Sequence, residues 1–322
     1  MRPARTYPER RDDVRLLVID PELPAPRALR EARTTVLADF LDAGDLLVVN
    51  DAATLPASLA GVDIHGRAVE ARLIAARDGE RFAAVLFGAG DWRQRTEDRP
   101  PPPALPVGAG LRFGELGARV VAHDPRSARL VELEFAARGD ALWAALYRVG
   151  RPVQYSHLAH DLPLWAVQTV YAARPWSFEM PSAGRPLSWQ TLLALRRKGV
   201  RWAALTHAAG LSATGDPALD AALPLPERYD IPAATVRADE ETRARGGRVV
   251  EGVLSGAHAA TESHFQLLAA FAGHALLDAA ADHAERAGFL THELGDSMLV
   301  LRGALSVAAS MAAERDGARV SA

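Results

Sequence analysis

AVEARLIAARDGERFAAVLFG, residues 68–88, consists of two runs that alternate apolar and polar side chains across a cluster of turn residues. Period-two alternation puts one set of side chains on each face of a pleated strand. The same texture returns in ARVVAH (118–123) and ARLVELEF (128–135), and no long helical period interrupts it between about Gly61 and Gly150. Short strands at this spacing predict a small antiparallel sandwich or barrel. Pro100 to Pro103, followed by Ala104, Leu105 and Pro106, must be an extended connection within it, because proline cannot serve a ladder interior. GAGLRFG (108–114) has three glycines but lacks the preceding strand and following helix of a dinucleotide fingerprint, so it reads as a turn of this unit.

The flanks read differently. VRLLVID (14–20) and DLLVVND (45–51) are strands closed by aspartate. Beyond Gly150, Gln190 to Lys198 predicts a short helix stopped by Gly199 and followed by the strand VRWAALTH (200–207). Ala233 to Arg245 predicts a charged helix, followed by the strand RVVEGVLSGAH (248–258). Phe265, Leu268, Ala269, Ala272, Leu276, Ala279 and Ala280 recur at threes and fours, the signature of a helix packed on a core. DSMLVL (296–301) predicts the last strand and Gly303 to Glu314 a closing helix. Strands alternating with helices give an α/β body with a layered, mostly parallel sheet, assembled from 1–60 and 151–322, with the antiparallel β-barrel unit inserted at 61–150.

Composition narrows the chemistry. The 322 residues include no cysteine, which excludes disulfides, thiolate metal sites and a cysteine nucleophile. No stretch reaches the roughly 18 apolar residues of a membrane span, and the charged opening MRPARTYPERRDD has no apolar segment behind it, so a cytoplasmic protein is expected. A net charge of −3 provides no global attraction for nucleic acid. P-loop, GxSxG and HExxH motifs are absent.

Ligands of open α/β sheets gather beyond the carboxyl ends of strands. Asn50–Asp51, His207, His258 and Asp296 fall there on this reading, with turn, cap and core roles as the competing explanation. His157 and His160 in SHLAHD have metal-compatible spacing but no third ligand nearby in sequence, so no metal is expected. Trp143, Trp165, Trp176, Trp189 and Trp202 can stack on bases or fill a core.

A series of motifs goes further. RDDVRLLVID (11–20), AGDLLVVND (43–51) with Pro56, QTVYA (168–172), PSAG (181–184), KGVRWAALTH (198–207), ERYDIP (227–232), RARGGRVV (243–250), EGVLSGAH (251–258), AAFAG (269–273) and GDSMLVL (295–301) occur in order. The ordered set resembles the S-adenosylmethionine:tRNA ribosyltransferase-isomerases of queuosine biosynthesis. The resemblance implies an α/β body with an inserted six-stranded barrel. It also implies that S-adenosylmethionine donates its ribosyl part to a deazaguanine base in tRNA, making S-adenosylmethionine and tRNA the partners, with adenine and methionine released. Catalytic candidates are then His207, His258, Asp51 and Glu227, and pocket candidates Asn50, Gln168, Tyr171, Ser182, Gly184 and Asp296.

The chain departs from that pattern. Ala53 and Ser58 replace arginines of NDTRV-x-PAR, Pro186 stands at a histidine, and a threonine-rich stretch is missing between GGRVV and EGV. Two further functions therefore stay open: an enzyme that uses S-adenosylmethionine on a small molecule or cleaves it differently, and a non-catalytic nucleoside-binding protein.

Overall fold

The computed structural model describes residues 1–245, 250–258 and 263–308. Five short strands open the chain: β1 (Arg2–Pro3), β2 (Arg15–Ile19), β3 (Leu29–Arg33), β4 (Leu46–Asn50) and β5 (Ala52–Thr54). Six more follow: β6 (Ser58–Asp63), β7 (Ala68–Ala76), β8 (Arg81–Phe87), β9 (Gly110–Phe113), β10 (Leu116–His123) and β11 (Leu130–Phe135). These six close into an antiparallel barrel in the order β10-β11-β8-β7-β6-β9. The seam between β6 and β9 is narrow, and a Cβ on Gly61 would stand 2.2 Å from the Arg112 carbonyl oxygen, so only glycine fits there. Leu59, Val69, Ala71, Phe82, Phe113 and Phe135 fill the interior, as their alternation requires. Helix α1 (Gly139–Val149) packs Leu142 and Leu146 on the same cluster.

One face of the barrel carries charge instead of oil. Glu70, Arg72 and Arg99 are all buried; Arg72 Nε and Arg99 Nη1 donate to the Glu70 carboxylate at 2.8 and 2.5 Å. Burial alone would raise the Glu70 carboxyl, but the two guanidiniums outweigh it and hold the group below its ordinary range. Arg72, Arg99 and Arg129 surround the Phe87 ring at 4.7, 5.2 and 5.1 Å. Arg129 also donates to the carbonyls of Arg99 and Pro100, which anchors the start of the proline-rich connection.

The rest of the chain supplies β12 (Arg174–Ser177), α2 (Trp189–Lys198), β13 (Arg201–His207), α3 (Pro217–Asp220), β14 (Tyr229–Asp230), α4 (Ala233–Ala244), β15 (Gly252–Gly256), α5 (Ser263–Leu268), α6 (His274–Arg286), β16 (Leu290–Thr291) and β17 (Ser297–Leu301). Gly199 ends α2 in the left-handed region, φ 92°, where its N–H reaches back to the last turn. The body strands form four pieces: β1-β16, β12-β5, β14-β13-β4 and β15-β17-β2-β3. Four of their seven ladders are parallel, in keeping with a mostly parallel body. Leu16, Val18, Val49, Tyr171 and Leu299 belong to one core cluster shared by the two larger pieces.

Three expectations need correction. The amphipathic run from Phe265 is two helices, α5 and α6, because the chain breaks before Gly273, the N-cap of α6. Strand β15 covers only Gly252–Gly256 of the expected 248–258 strand; residues 246–249 lie outside the described part, as does the closing helix beyond 308. The strand bearing His207 and the strand leading to His258 do not share a sheet: β13 pairs with β4 and β14, whereas β15 pairs antiparallel with β17. Among the described residues no helix is long and apolar enough to cross a membrane.

Candidate active site

Parallel pairing of β4 with β13 brings their carboxyl ends side by side, with Leu205 opposite Asn50. There Asn50 is committed to the backbone of its neighbour: Nδ2 donates to the His207 carbonyl at 2.9 Å, and Oδ1 accepts from the His207 N–H at 2.9 Å. This fixes the histidine's main chain. Its ring is 40 % exposed, open to a ligand, and Nε2 stands 2.7 Å from Glu227 Oε2, whose side chain is 22 % exposed. The other Glu227 oxygen accepts from the Gly210 N–H at 2.7 Å. The Asp51 carboxylate accepts from the hydroxyl of Thr206, the residue before His207 in β13, at 2.5 Å. Trp176 on β12 adds an aromatic face, with the Arg228 guanidinium 3.6 Å from its ring centre and Arg174 on the same ring.

The loop 207–212 carries the constellation onward. Ala209 accepts from the N–H groups of Phe178 and Glu179 and donates to the Ser177 hydroxyl. Glu179 then accepts from the Ser212 N–H at 3.0 Å, from the Ser212 hydroxyl and from the Tyr155 hydroxyl. As a residue Glu179 is only partly buried, but its carboxyl group is enclosed; that desolvation pushes its pKa up to about 7, against the pull of its hydroxyl donors. Sequence reading missed Glu179, Tyr155 and Ser212. The one available signal was an acid two residues before PSAG, in FEMPSAG (178–184).

The remaining candidates lie elsewhere. Tyr171 is buried; its hydroxyl is 3.4 Å from the Gly184 carbonyl, and a Cβ on Gly184 would stand 2.1 Å from that hydroxyl. The short turn Ser182–Gly184 runs beside β15, which ends two residues before His258. Gln168 spends its amide on the backbone of Thr54, accepting at 2.9 Å and donating at 2.8 Å. Asp296 precedes β17 and so sits at its amino end, not the carboxyl end expected for it. Both of its oxygens accept from main-chain N–H groups, of Arg15 at 3.0 Å and Leu290 at 2.8 Å, so its geometry is that of a splice between strands. The structure thus brings Asn50, His207 and Glu227 into contact, with Asp51 bonded to the neighbouring Thr206, and separately sets Tyr171, Ser182 and Gly184 beside β15. Two clefts, of about 80 Å³ beside Trp189 and Trp202 and about 240 Å³ beside His123 and Pro226, hold neither group.

A family model described as queuosine biosynthesis protein matches residues 2–251. The chain belongs to that family. It is 30 % identical over 350 residues to an S-adenosylmethionine:tRNA ribosyltransferase-isomerase of Gloeobacter violaceus, covering 94 % of this chain and 93 % of the relative. To the protein of the same name from Anaeromyxobacter dehalogenans it is 36 % identical over 250 residues, covering 74 % and 67 %. A solved structure, an S-adenosylmethionine tRNA ribosyltransferase from Thermotoga maritima, is 19 % identical with a TM-score of 0.46 and covers 93 % of this chain and 96 % of its own. The family is one of transferase/isomerase enzymes of queuosine biosynthesis, and this member is an enzyme of that class. The family match stops at residue 251, immediately before β15. The 350-residue alignment exceeds the 322 residues of this chain, in keeping with segments that the relative has and this chain lacks.

Proposed function

We propose that the chain transfers and isomerises the ribosyl part of S-adenosylmethionine onto a deazaguanine base in tRNA, with His207 as the base. The observation that carries this reading is the His207–Glu227 contact at the carboxyl end of β13. A carboxylate at Nε2 favours the tautomer protonated there and leaves Nδ1 to take a proton. The sulfonium makes the adjacent ribose carbon acidic, which is the proton such a reaction must first remove. Asp51 supplies negative charge for the sulfonium, whose burial without a partner would cost several kcal/mol. Glu179 holds the loop that follows His207 through its bonds with Ser212. The nucleoside end lies toward Tyr171, Ser182 and Gly184, with Gln168 behind them and His258 beyond β15.

A second reading, transfer to a small acceptor, draws support from Ala53 and Ser58 standing where the family has arginines. Ser58 spends its hydroxyl on Glu70 of the barrel. Against it stand Arg174 and Arg228 over Trp176, a cationic aromatic face of the kind that meets phosphate and base. Mass spectrometry of S-adenosylmethionine incubations with and without tRNA carrying the aminomethyl-deazaguanine base separates the two. The first reading requires a tRNA-linked adduct and free adenine only when tRNA is present. Adenine released equally without tRNA supports the second.

A further inference from the structure

The sequence offered His157 with His160 as a metal pair and no third ligand. The fold separates that pair and gives His157 other company. Asp161 of the same motif accepts from the Trp92 indole at 2.7 Å, and the His160 carbonyl accepts from Gln154. His157 instead meets the loop between β16 and β17: its Nε2 is 2.9 Å from Glu293 Oε2, and its ring stacks on that of His292 with centres 4.5 Å apart. We propose that His157, His292 and Glu293 form a binding site for a divalent cation of the zinc class.

Three observations carry it. The side chains each offer one ligand atom, and all three atoms lie within 4.8 Å of one another. Tetrahedral ligands at about 2.0–2.2 Å from zinc lie roughly 3.4 Å apart, so closing the set takes a contraction of up to about 1.4 Å and a rotation of the stacked rings that turns both ring nitrogens to one point. Second, His292 is the one non-glycine residue with positive φ, 68°, among the described residues. Histidine in that region costs on the order of 1 kcal/mol, a cost that recurs where a side chain must be aimed at a ligand. Here the conformation holds the His292 ring over His157. Third, His157 and Glu293 are half-buried while His292 is exposed, so the cluster reaches the protein surface, where an ion can enter it. Two imidazoles and one carboxylate suit zinc, cobalt or nickel; magnesium and calcium prefer all-oxygen sites.

The cation would join the segment after α1 to the β16–β17 loop, 136 residues away along the chain. That is a clamp and not a step in ribosyl transfer, so it stands whether or not the proposed reaction does. The test uses untagged protein stripped with a chelator and titrated with ZnCl2 by calorimetry, with His160→Ala as control. We expect one equivalent bound by wild type and by His160→Ala, and a rise in Tm with the metal. His292→Gly relieves the backbone and therefore folds at least as well, and Glu293→Gln keeps an acceptor for His157. Both should weaken binding by about a hundredfold or more and lose the metal-dependent Tm rise. No stoichiometric binding by wild type, or binding unchanged in both variants, would overturn the site and leave a histidine–glutamate contact alone.

Discussion

His207 and Glu227 were singled out separately, as a strand-end histidine and as the acid that begins ERYDIP. That they touch was not legible, because nineteen residues and α3 lie between them and only the pairing of β14 with β13 closes the gap. If the contact sets the histidine's tautomer, Glu227→Gln and His207→Ala should each lower turnover by about a hundredfold or more. Their double variant should be little worse than either alone, because the pair acts as a unit. Additive losses measured in that cycle would separate the two residues. Glu179 was missed for a related reason: its raised pKa comes from burial of the carboxyl by the fold, against the hydrogen bonds from Ser212 and Tyr155, and no local motif encodes that burial. Its folded pKa of about 7 lies above the ordinary glutamate value, so ionising it costs stability. The stability is full below about pH 4.5 and falls as pH rises through 7. Glu179→Gln should therefore be more stable than wild type at pH 8, by about 1–2 kcal/mol after allowing for solvent access, and equal to it near pH 4.5. Urea denaturation at the two pH values decides this, and an equal difference at both contradicts it.

At the scale of elements, alternation told the barrel strands from the rest, because a pleated strand between interior and exterior has to show period two. Residues such as Leu59, Val69, Ala71 and Leu73 are buried as that pattern requires. Alternation could not say that the polar set on β7 is buried too. Glu70 and Arg72 fall on the polar side of that pattern, yet they lie buried under Tyr155, Thr96 and Arg99. Glu70→Gln leaves two buried guanidiniums without their carboxylate and should cost about 3–5 kcal/mol in thermal or urea unfolding. A cost under about 1 kcal/mol would show that the cluster is hydrated in solution. Strand neighbours were legible least of all. The apolar runs of β13 and β15 look alike in sequence, but β15 pairs antiparallel with β17, which sends the strand's end, and His258, to the amino end of β17. Asp296 was misplaced for the same reason: an acid adjoining a strand can precede or follow it, and here it precedes.

For the whole molecule, a net charge of −3 makes any hold on tRNA local. Arg174 and Arg228 are the cations at the site, and Arg174 is paired with Asp230. With so few phosphate contacts, tRNA affinity should fall by only about tenfold or less between 50 and 200 mM salt, against the thousandfold or more expected of six to ten contacts. A steep slope in filter binding would mean that a broader basic face is engaged. The claim on which the rest depends is that His207 removes the proton that starts ribosyl transfer. It is tested most directly by the rate of adenine release from S-adenosylmethionine in the presence of tRNA bearing the aminomethyl-deazaguanine base, compared between wild type and His207→Ala. The account predicts adenine from wild type and a rate lower by about a hundredfold or more in His207→Ala, with tRNA binding unchanged. An undiminished rate in that variant, or no adenine from wild type, would contradict it.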